Sequence, residues 1–367
     1  MDKRFIPISK PSLSDLEHTF VSQAVQSTWV SSLGEYITRF EEDFASFCET
    51  KHAISVFNGT VAIHLALHAL DIGPGDEVIV PNLSFIATAN AVLHAGATPV
   101  FADISPDTLC LDPEDVVKKI SSKTKAIMPV HLYGHPAEMN RILEIGESYG
   151  LMVIEDAAEA HGAKAHNRRV GSFGICGTFS FYGNKILTTG EGGMITTNDD
   201  HLNSRLRHLR DHAMMKDKRY WHDEVGFNYR ITNLQAALGC AQLDRIEELL
   251  GGRQAVLNSY RERLSGIPGL ALNKHAPWAE PVCWLVCMEV EGITEKERDL
   301  FMAHLKDKGI DSRPYFYPMS HMPYFNSDAD TPVTFAKSSS GLNLPTYLGL
   351  EEEQLDYICS TIREYWS

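Results

Sequence analysis

No apolar run in this chain approaches the length needed to cross a bilayer. Its first residues, Met1-Asp2-Lys3-Arg4-Phe5-Ile6-Pro7, lack the apolar centre of a secretory leader. Positive charge is also scarce: 33 Lys and Arg stand against 48 Asp and Glu, a net charge of −15. That balance argues against a nucleic-acid or anionic-membrane partner. It leaves room for a phosphorylated ligand, which a few amides and basic groups can hold. No CxxC spacing occurs among the seven cysteines, Cys48, Cys110, Cys176, Cys240, Cys283, Cys287 and Cys359, and an odd, scattered set fits a reducing compartment. Internal repeats, low-complexity segments and clusters with metal-ligand spacing are missing as well. The expectation is a soluble cytoplasmic protein without a metal centre. What is present is an ordinary globular balance, 44% hydrophobic and 22% charged over 367 residues, enough for one large and one smaller domain.

Short apolar strands alternate with helical stretches through the first half. Strands are expected at 52–56, 78–80, 97–103, 125–130, 151–154, 179–182 and 194–197, and helices at 61–70, 86–95, 113–120, 136–149 and 199–212. This alternation predicts right-handed parallel crossovers, and ligands of such sheets bind outside the carboxyl ends of the strands. An extended arm over 1–12 leads into a helix capped by Ser14, and a second helix follows at 37–49. One long helix is expected over 234–264, then strands around 284–290 and helices at 294–308 and 351–366. The fold class is therefore α/β: an arm and large, mostly parallel domain over 1–245, and a smaller α+β domain over 246–367.

Two stretches carry the chemistry. Thr178-Phe179-Ser180-Phe181-Tyr182-Gly183-Asn184-Lys185 runs from a strand through a turn to a lysine, ahead of the glycine-rich run Gly190-Glu191-Gly192-Gly193. Taken alone, Lys185 reads more readily as an ordinary surface lysine than as a reactive one. The second stretch, Leu151-Met152-Val153-Ile154-Glu155-Asp156, is a continuous apolar strand ending in an acid. A lysine and an acid at neighbouring strand ends suit pyridoxal 5'-phosphate, which needs a lysine for its Schiff base and an acid on its pyridinium nitrogen. A third signal is Asn58-Gly59-Thr60 between a strand and a helix, an anion site by its free amides or simply an N-cap.

These stretches resemble the DegT/DnrJ/EryC1/StrS family of sugar aminotransferases, of the aspartate aminotransferase-like PLP fold type I, over essentially the whole chain. The resemblance implies a cofactor site built from Lys185, Gly59, Thr60, Ser180 and Asp156, with Phe85 stacked on the ring and Glu159 near its hydroxyl or the substrate. Relatives with histidine at the lysine position act as dehydratases, so Lys185 implies a transaminase. Asn228, in Gly226-Phe227-Asn228-Tyr229-Arg230, matches an asparagine that reaches the neighbouring subunit's cofactor phosphate, implying a homodimer with shared sites, alone or paired into a tetramer.

Substrate contacts are implied by three loops. Trp29-Val30-Ser31-Ser32-Leu33-Gly34 matches a stretch near the sugar nucleotide, giving Trp29 and Ser31; a plain connector is the alternative. Arg219-Tyr220-Trp221-His222 is most like 4-aminotransferases of nucleotide-linked 4-keto-6-deoxyhexoses and adds Arg219, Trp221, His222 and Arg230, with a solvated interface loop as the other reading. Ser312-Arg313-Pro314-Tyr315-Phe316-Tyr317-Pro318-Met319-Ser320-His321 gives Arg313, Tyr317 and His321, with a spacing around His321 that departs from the family's. His161 is either a partner of Asp156 near the substrate or a core histidine. The implied substrate is GDP-4-keto-6-deoxymannose, with the dTDP-linked glucose analogue second and L-glutamate as donor. A non-catalytic regulatory homologue is the reading from another class.

Overall fold

The structure is a computed structural model that describes residues 5–325 and 327–366. Residues 1–4 of the expected arm lie outside the described residues. The rest of the arm is tied down: the Ile6 amide donates to Gly309 O at 2.9 Å, and the Thr346 amide donates to Ile8 O at 2.8 Å.

Two helices come first, α1 (Asp15–Gln26) and α2 (Glu35–Phe47). The crossovers follow: β1 (His52–Val56), α3 (Gly59–Ala69), β2 (Glu77–Pro81), α4 (Ala87–His94), β3 (Thr98–Ala102), α5 (Pro113–Lys119), β4 (Thr124–Ile127), α6 (Met139–Tyr149) and β5 (Met152–Asp156). A small pair, β6 (Lys164–Ala165) and β7 (Arg168–Arg169), precedes β8 (Cys176–Ser180), β9 (Gly193–Thr197) and α7 (Asp200–Arg210). Among the described residues the main sheet has the order β1-β9-β8-β5-β4-β2-β3. The pairings β8–β5, β5–β4, β4–β2 and β2–β3 are parallel, while β9 runs against both β1 and β8. The reversal follows from a short return: β9 starts 13 residues after β8 ends, without a helix to carry the chain back across the sheet. Apolar clusters cover both faces, one around Phe40, Phe44, Phe179 and Phe181, the other around Ile54, Leu65, Val80 and Ile154. Burial on both faces is why these strands read as unbroken apolar runs.

The segment expected as one long helix is two, α8 (Asn233–Asp244) and α9 (Ile246–Arg263). They part at Arg245, whose amide bonds Gln242 O rather than continuing the α-ladder. Its guanidinium is held by Glu17 at 2.6 Å and Glu248 at 2.8 Å. The chain ends with β10 (Leu270–Leu272), β11 (Ala279–Glu280), β12 (Val286–Val290), α10 (Glu295–Asp307), β13 (Arg313–Pro314), α11 (Pro332–Ser340), β14 (Leu342–Leu344) and α12 (Glu352–Trp366). A second sheet, β10-β12-β14-β13, packs its own apolar cluster around Tyr260, Val286, Phe301, Leu344 and Ile358.

Glu17 closes a polar knot between α1 and α8. Its Oε1 accepts from Gln242 and Arg245 at 2.6 Å each, and its Oε2 accepts from the Ser14 amide at 2.7 Å. Burial pushes this carboxyl up, but the hydrogen bonds from Ser14, Gln242 and Arg245 outweigh it and hold the pKa at about 2 against a usual 4.5. A depressed carboxylate stabilises the fold above its unfolded pKa, and that stabilisation drains as pH falls toward the folded value. Glu17→Gln is expected to cost on the order of 2 kcal/mol at pH 7. In urea denaturation the gap to the parent chain should close as pH falls from about 4.5 to about 2; a gap constant across that range would contradict the assignment.

Candidate active site

Strand periodicity builds the site first. Glu155 and Asp156 are adjacent on β5, so their side chains leave opposite faces of the sheet. Glu155 is structural: it accepts from the amides of Gly171, Phe173 and Gly174 at 2.7, 2.7 and 2.9 Å, and meets His131 Nε2 at 3.1 Å. Asp156 points the other way, into a cavity of about 760 Å³ at the carboxyl edge of the sheet. Its Oδ2 accepts from Thr88 Oγ1 at 2.8 Å and its Oδ1 from the Ala158 amide at 3.2 Å. Burial pushes the Asp156 carboxyl up, against the opposing bond from Thr88.

The same cavity is lined by Gly59, Thr60, Phe85, Glu159, Ser180, Lys185, Arg313 and Tyr317. Asn58 caps α3 through the Val61 amide at 2.9 Å, leaving Gly59 and Thr60 in the first turn, where no intrahelical carbonyl reaches their amides. Gly59 is required here, because a Cβ would stand 2.7 Å from Ser180 Cβ. Phe85, at the head of α4, is 54% exposed toward the cavity mouth and tilts against Phe316 at 5.9 Å.

Lys185 follows a turn closed by its own amide on Tyr182 O at 2.9 Å. Its Nζ lies 3.5 Å from Glu159 Oε1 and 3.9 Å from the Trp284 ring centroid. Burial pushes the lysine down, against the pull of Glu159 and Asp156. It pushes Glu159 up to about 7, opposed by Lys185. Glu159 Oε2 is fixed by the Tyr133 amide at 2.8 Å, a bond aimed by the left-handed backbone of Tyr133 (φ 53°). The pair is thus a poorly solvated amine and carboxyl for which the neutral forms are unusually accessible.

Other residues expected from the loops lie elsewhere. Trp29 and Ser31 are exposed, their carbonyls held by Asn233 at 2.7 and 2.6 Å. Arg219 stacks over Tyr220, Trp221 lies under Lys218 at 3.5 Å, and His222 Nδ1 meets His212 O at 2.8 Å. Asn228 is exposed, its side chain accepting from Arg230 at 3.0 Å, while Arg230 also pairs with Asp211 at 2.7 Å. His321 packs on Phe335 at 4.4 Å. His161 is fully buried against Phe179 and Phe181, and burial pushes its pKa down to about 3, which leaves the ring neutral at physiological pH. Sequence reasoning missed Thr88, Tyr133 and Trp284. Thr88, in the first turn of α4 and three residues after Phe85, is the one that spacing offered.

The donor set fits pyridoxal phosphate. First-turn amides beside an obligatory glycine suit a phosphate, a buried carboxyl suits a pyridinium, and a buried amine suits an aldehyde. Asn184 Oδ1, buried on the same wall, has no hydrogen-bond partner among the described residues. Among those residues no group of His, Cys, Asp and Glu has the arrangement of a metal centre, and no helix is long and apolar enough to cross a membrane.

Fold and site together define a pyridoxal-phosphate-dependent transaminase of fold type I. The model of the DegT/DnrJ/EryC1/StrS aminotransferase family matches residues 11–363, and the chain belongs to that family. It is 46% identical over 360 residues to a GDP-perosamine synthase of Caulobacter vibrioides, covering 97% of each chain. It is 42% identical over 365 residues to a GDP-perosamine synthase of Escherichia coli O157:H7, covering 99% of each. Among solved structures, Spr1654 from Streptococcus pneumoniae in its PMP form matches with a TM-score of 0.93 at 28% identity, over 99% of this chain and 98% of that one.

Proposed function

We propose that the chain transfers the amino group of L-glutamate to the C4 ketone of GDP-4-keto-6-deoxy-D-mannose, giving GDP-perosamine and 2-oxoglutarate, a step of polysaccharide or O-antigen synthesis. The observation that carries the reaction type is Lys185 Nζ held between Glu159 and Trp284 in the cavity that Asp156 enters. The GDP-linked substrate is supported by the two relatives at 46% and 42% identity over nearly their whole length.

Pyridoxal phosphate, when bound, supplies an electron sink for the charge that develops at the donor's Cα. Asp156 would hold the ring nitrogen and favour its protonated form, and a cation there would in turn favour the Asp156 carboxylate that burial alone disfavours. The Gly59 and Thr60 amides and the Ser180 hydroxyl would bind the phosphate, and Phe85 would cover the ring and keep water off it. Glu159 steadies the Lys185 amine and would lie near the ring hydroxyl. Lys185, its pKa lowered by burial, takes the proton from the donor's Cα as a neutral amine and later returns a proton at C4 of the sugar.

Arg313 and Tyr317 line the cavity and are placed on the sugar nucleotide. Trp29, Ser31, Arg219, Trp221, His222, Asn228 and Arg230 are assigned to the site of a second copy. Trp29 is 57% and Trp221 53% exposed, as surfaces awaiting a partner would be. We keep the domain division at 245/246, the break at Arg245, and place the protein in the cytoplasm.

The reading is tested by offering a GDP-linked and a dTDP-linked 4-keto-6-deoxyhexose with glutamate and comparing kcat/KM. Preference for the GDP sugar is expected. Transfer to the dTDP sugar alone would move the substrate to the viosamine type and leave the reaction standing.

A further inference from the structure

Arg253, on α9, is 4% exposed, yet no carboxylate partner appears for it among the described residues. Its guanidinium is spent on backbone and one hydroxyl. Nη1 donates to Trp284 O at 2.6 Å and Thr346 O at 3.1 Å; Nη2 donates to Lys185 O at 3.3 Å and Ser9 Oγ at 3.4 Å. Burial brings its pKa down to about 10, which still leaves it charged at neutral pH. An isolated buried cation opposes folding more than an apolar side chain of the same volume would. What it offers in exchange is a rigid planar fork that bridges several acceptors at once, which lysine cannot reproduce.

The choice of acceptors is informative. One carbonyl belongs to Lys185 itself. Another belongs to Trp284, whose ring centroid stands 3.9 Å from Lys185 Nζ and whose Nε1 donates to Asn184 O at 2.9 Å. The two stretches are 99 residues apart in sequence, and the guanidinium joins them behind the amine. The arm enters through Ser9, and the segment just past β14 of the second sheet through Thr346.

We propose that Arg253 is a positioning residue for Lys185: it locks the Lys185 backbone against the Trp284 wall and so fixes where the amine stands in the cavity. This rests on Lys185 being the lysine that condenses with the cofactor aldehyde, with loss of one water.

The test uses two variants with opposite liabilities. Arg253→Lys keeps the charge and loses the fork; Arg253→Met keeps much of the volume and removes the charge. Cofactor is stripped from the purified full-length protein and two quantities are measured. One is the rate of covalent attachment of added pyridoxal phosphate, followed by absorbance and located by borohydride fixation and peptide mapping. The other is the affinity for pyridoxamine phosphate, which has no aldehyde and reports the phosphate and ring contacts alone. Misplacement of a reacting group by about 1 Å costs up to about a hundredfold, so attachment should slow at least about tenfold in both variants while pyridoxamine phosphate affinity stays within about twofold. Attachment at the parent rate in either variant would overturn the proposal. So would a parallel loss of both quantities, or failure of both variants to fold, since either marks a general structural role. Attachment of the parent chain at a lysine other than Lys185 would instead remove the reading beneath the proposal.

Discussion

Lys185→Ala is expected to lower turnover by at least about a thousandfold while the chain still folds. Loss of a positioned proton carrier alone is worth about 10² to 10⁴ in rate, and covalent attachment of the cofactor is lost with it. The fold should tolerate the change because the lysine contributes little to it. Burial already pushes the Lys185 amine down, so its charged form is held at a cost that alanine removes. The partner left behind is Glu159, whose carboxyl burial raises to about 7. Without the amine, the Glu159 proton is held more tightly, and its second oxygen keeps the Tyr133 amide. Thermal unfolding should therefore stay close to the parent's while single-turnover transfer disappears. Near-normal turnover in a folded variant would show that another group moves the proton.

Asp156→Asn should separate activity from stability. Asparagine has the same shape: its oxygen can still accept from the Ala158 amide, and its amide nitrogen can donate to Thr88 Oγ1 once that hydroxyl turns its own proton away, so both contacts that hold the side chain can be kept. What is lost is the negative charge opposite a ring nitrogen in a low-dielectric site, and preorganised groups of this kind are worth about 10² to 10³ in kcat. Stability should move the other way. A carboxyl with a raised folded pKa stabilises the fold below its unfolded pKa, and that contribution is lost as pH rises through the folded value. Above the unfolded value of 3.8 the cofactor-free parent must either ionise this buried carboxyl or keep its proton against the solvent, a cost that asparagine does not carry. The variant should be at least as stable as the parent above pH 7 without cofactor, and the advantage should shrink toward pH 4. Equal activity, or a large loss of stability at neutral pH, would contradict the role given to Asp156.

Why some of this could be read from the sequence and some could not follows from how far apart the cooperating residues lie. The crossovers and the acid at the end of β5 are local: an apolar run, an alternation and a cap each declare themselves within a dozen residues. The anion site at Gly59 is similar, since the strand, the glycine and the Asn58 cap are contiguous. The direction of β9 is not, because Met194–Thr197 looks the same whichever way its neighbours run, and only the missing helix before it betrays the reversal. The break at Arg245 has no local signal either, and the carboxylate that holds its guanidinium, Glu17, lies on α1, far away in sequence. Trp284 sits in an apolar run that reads as core, and it is core on one side; its indole reaches Lys185 only because the second sheet packs over the site. Tyr133 was passed over because nothing local signals that its backbone turns left-handed to serve Glu159.

The central claim is amino transfer from glutamate to a GDP-linked keto sugar through Lys185. The most direct measurement is the half-reaction. The protein is loaded with pyridoxal phosphate, treated with glutamate and freed of donor, so that it holds the amino form of the cofactor. Each nucleotide sugar is then added alone and the cofactor's absorbance is followed. Return of the original spectrum with GDP-4-keto-6-deoxymannose, faster than with its dTDP-glucose analogue and absent in Lys185→Ala, is the predicted result. A spectrum that glutamate never changes, or one that neither sugar restores, would contradict it.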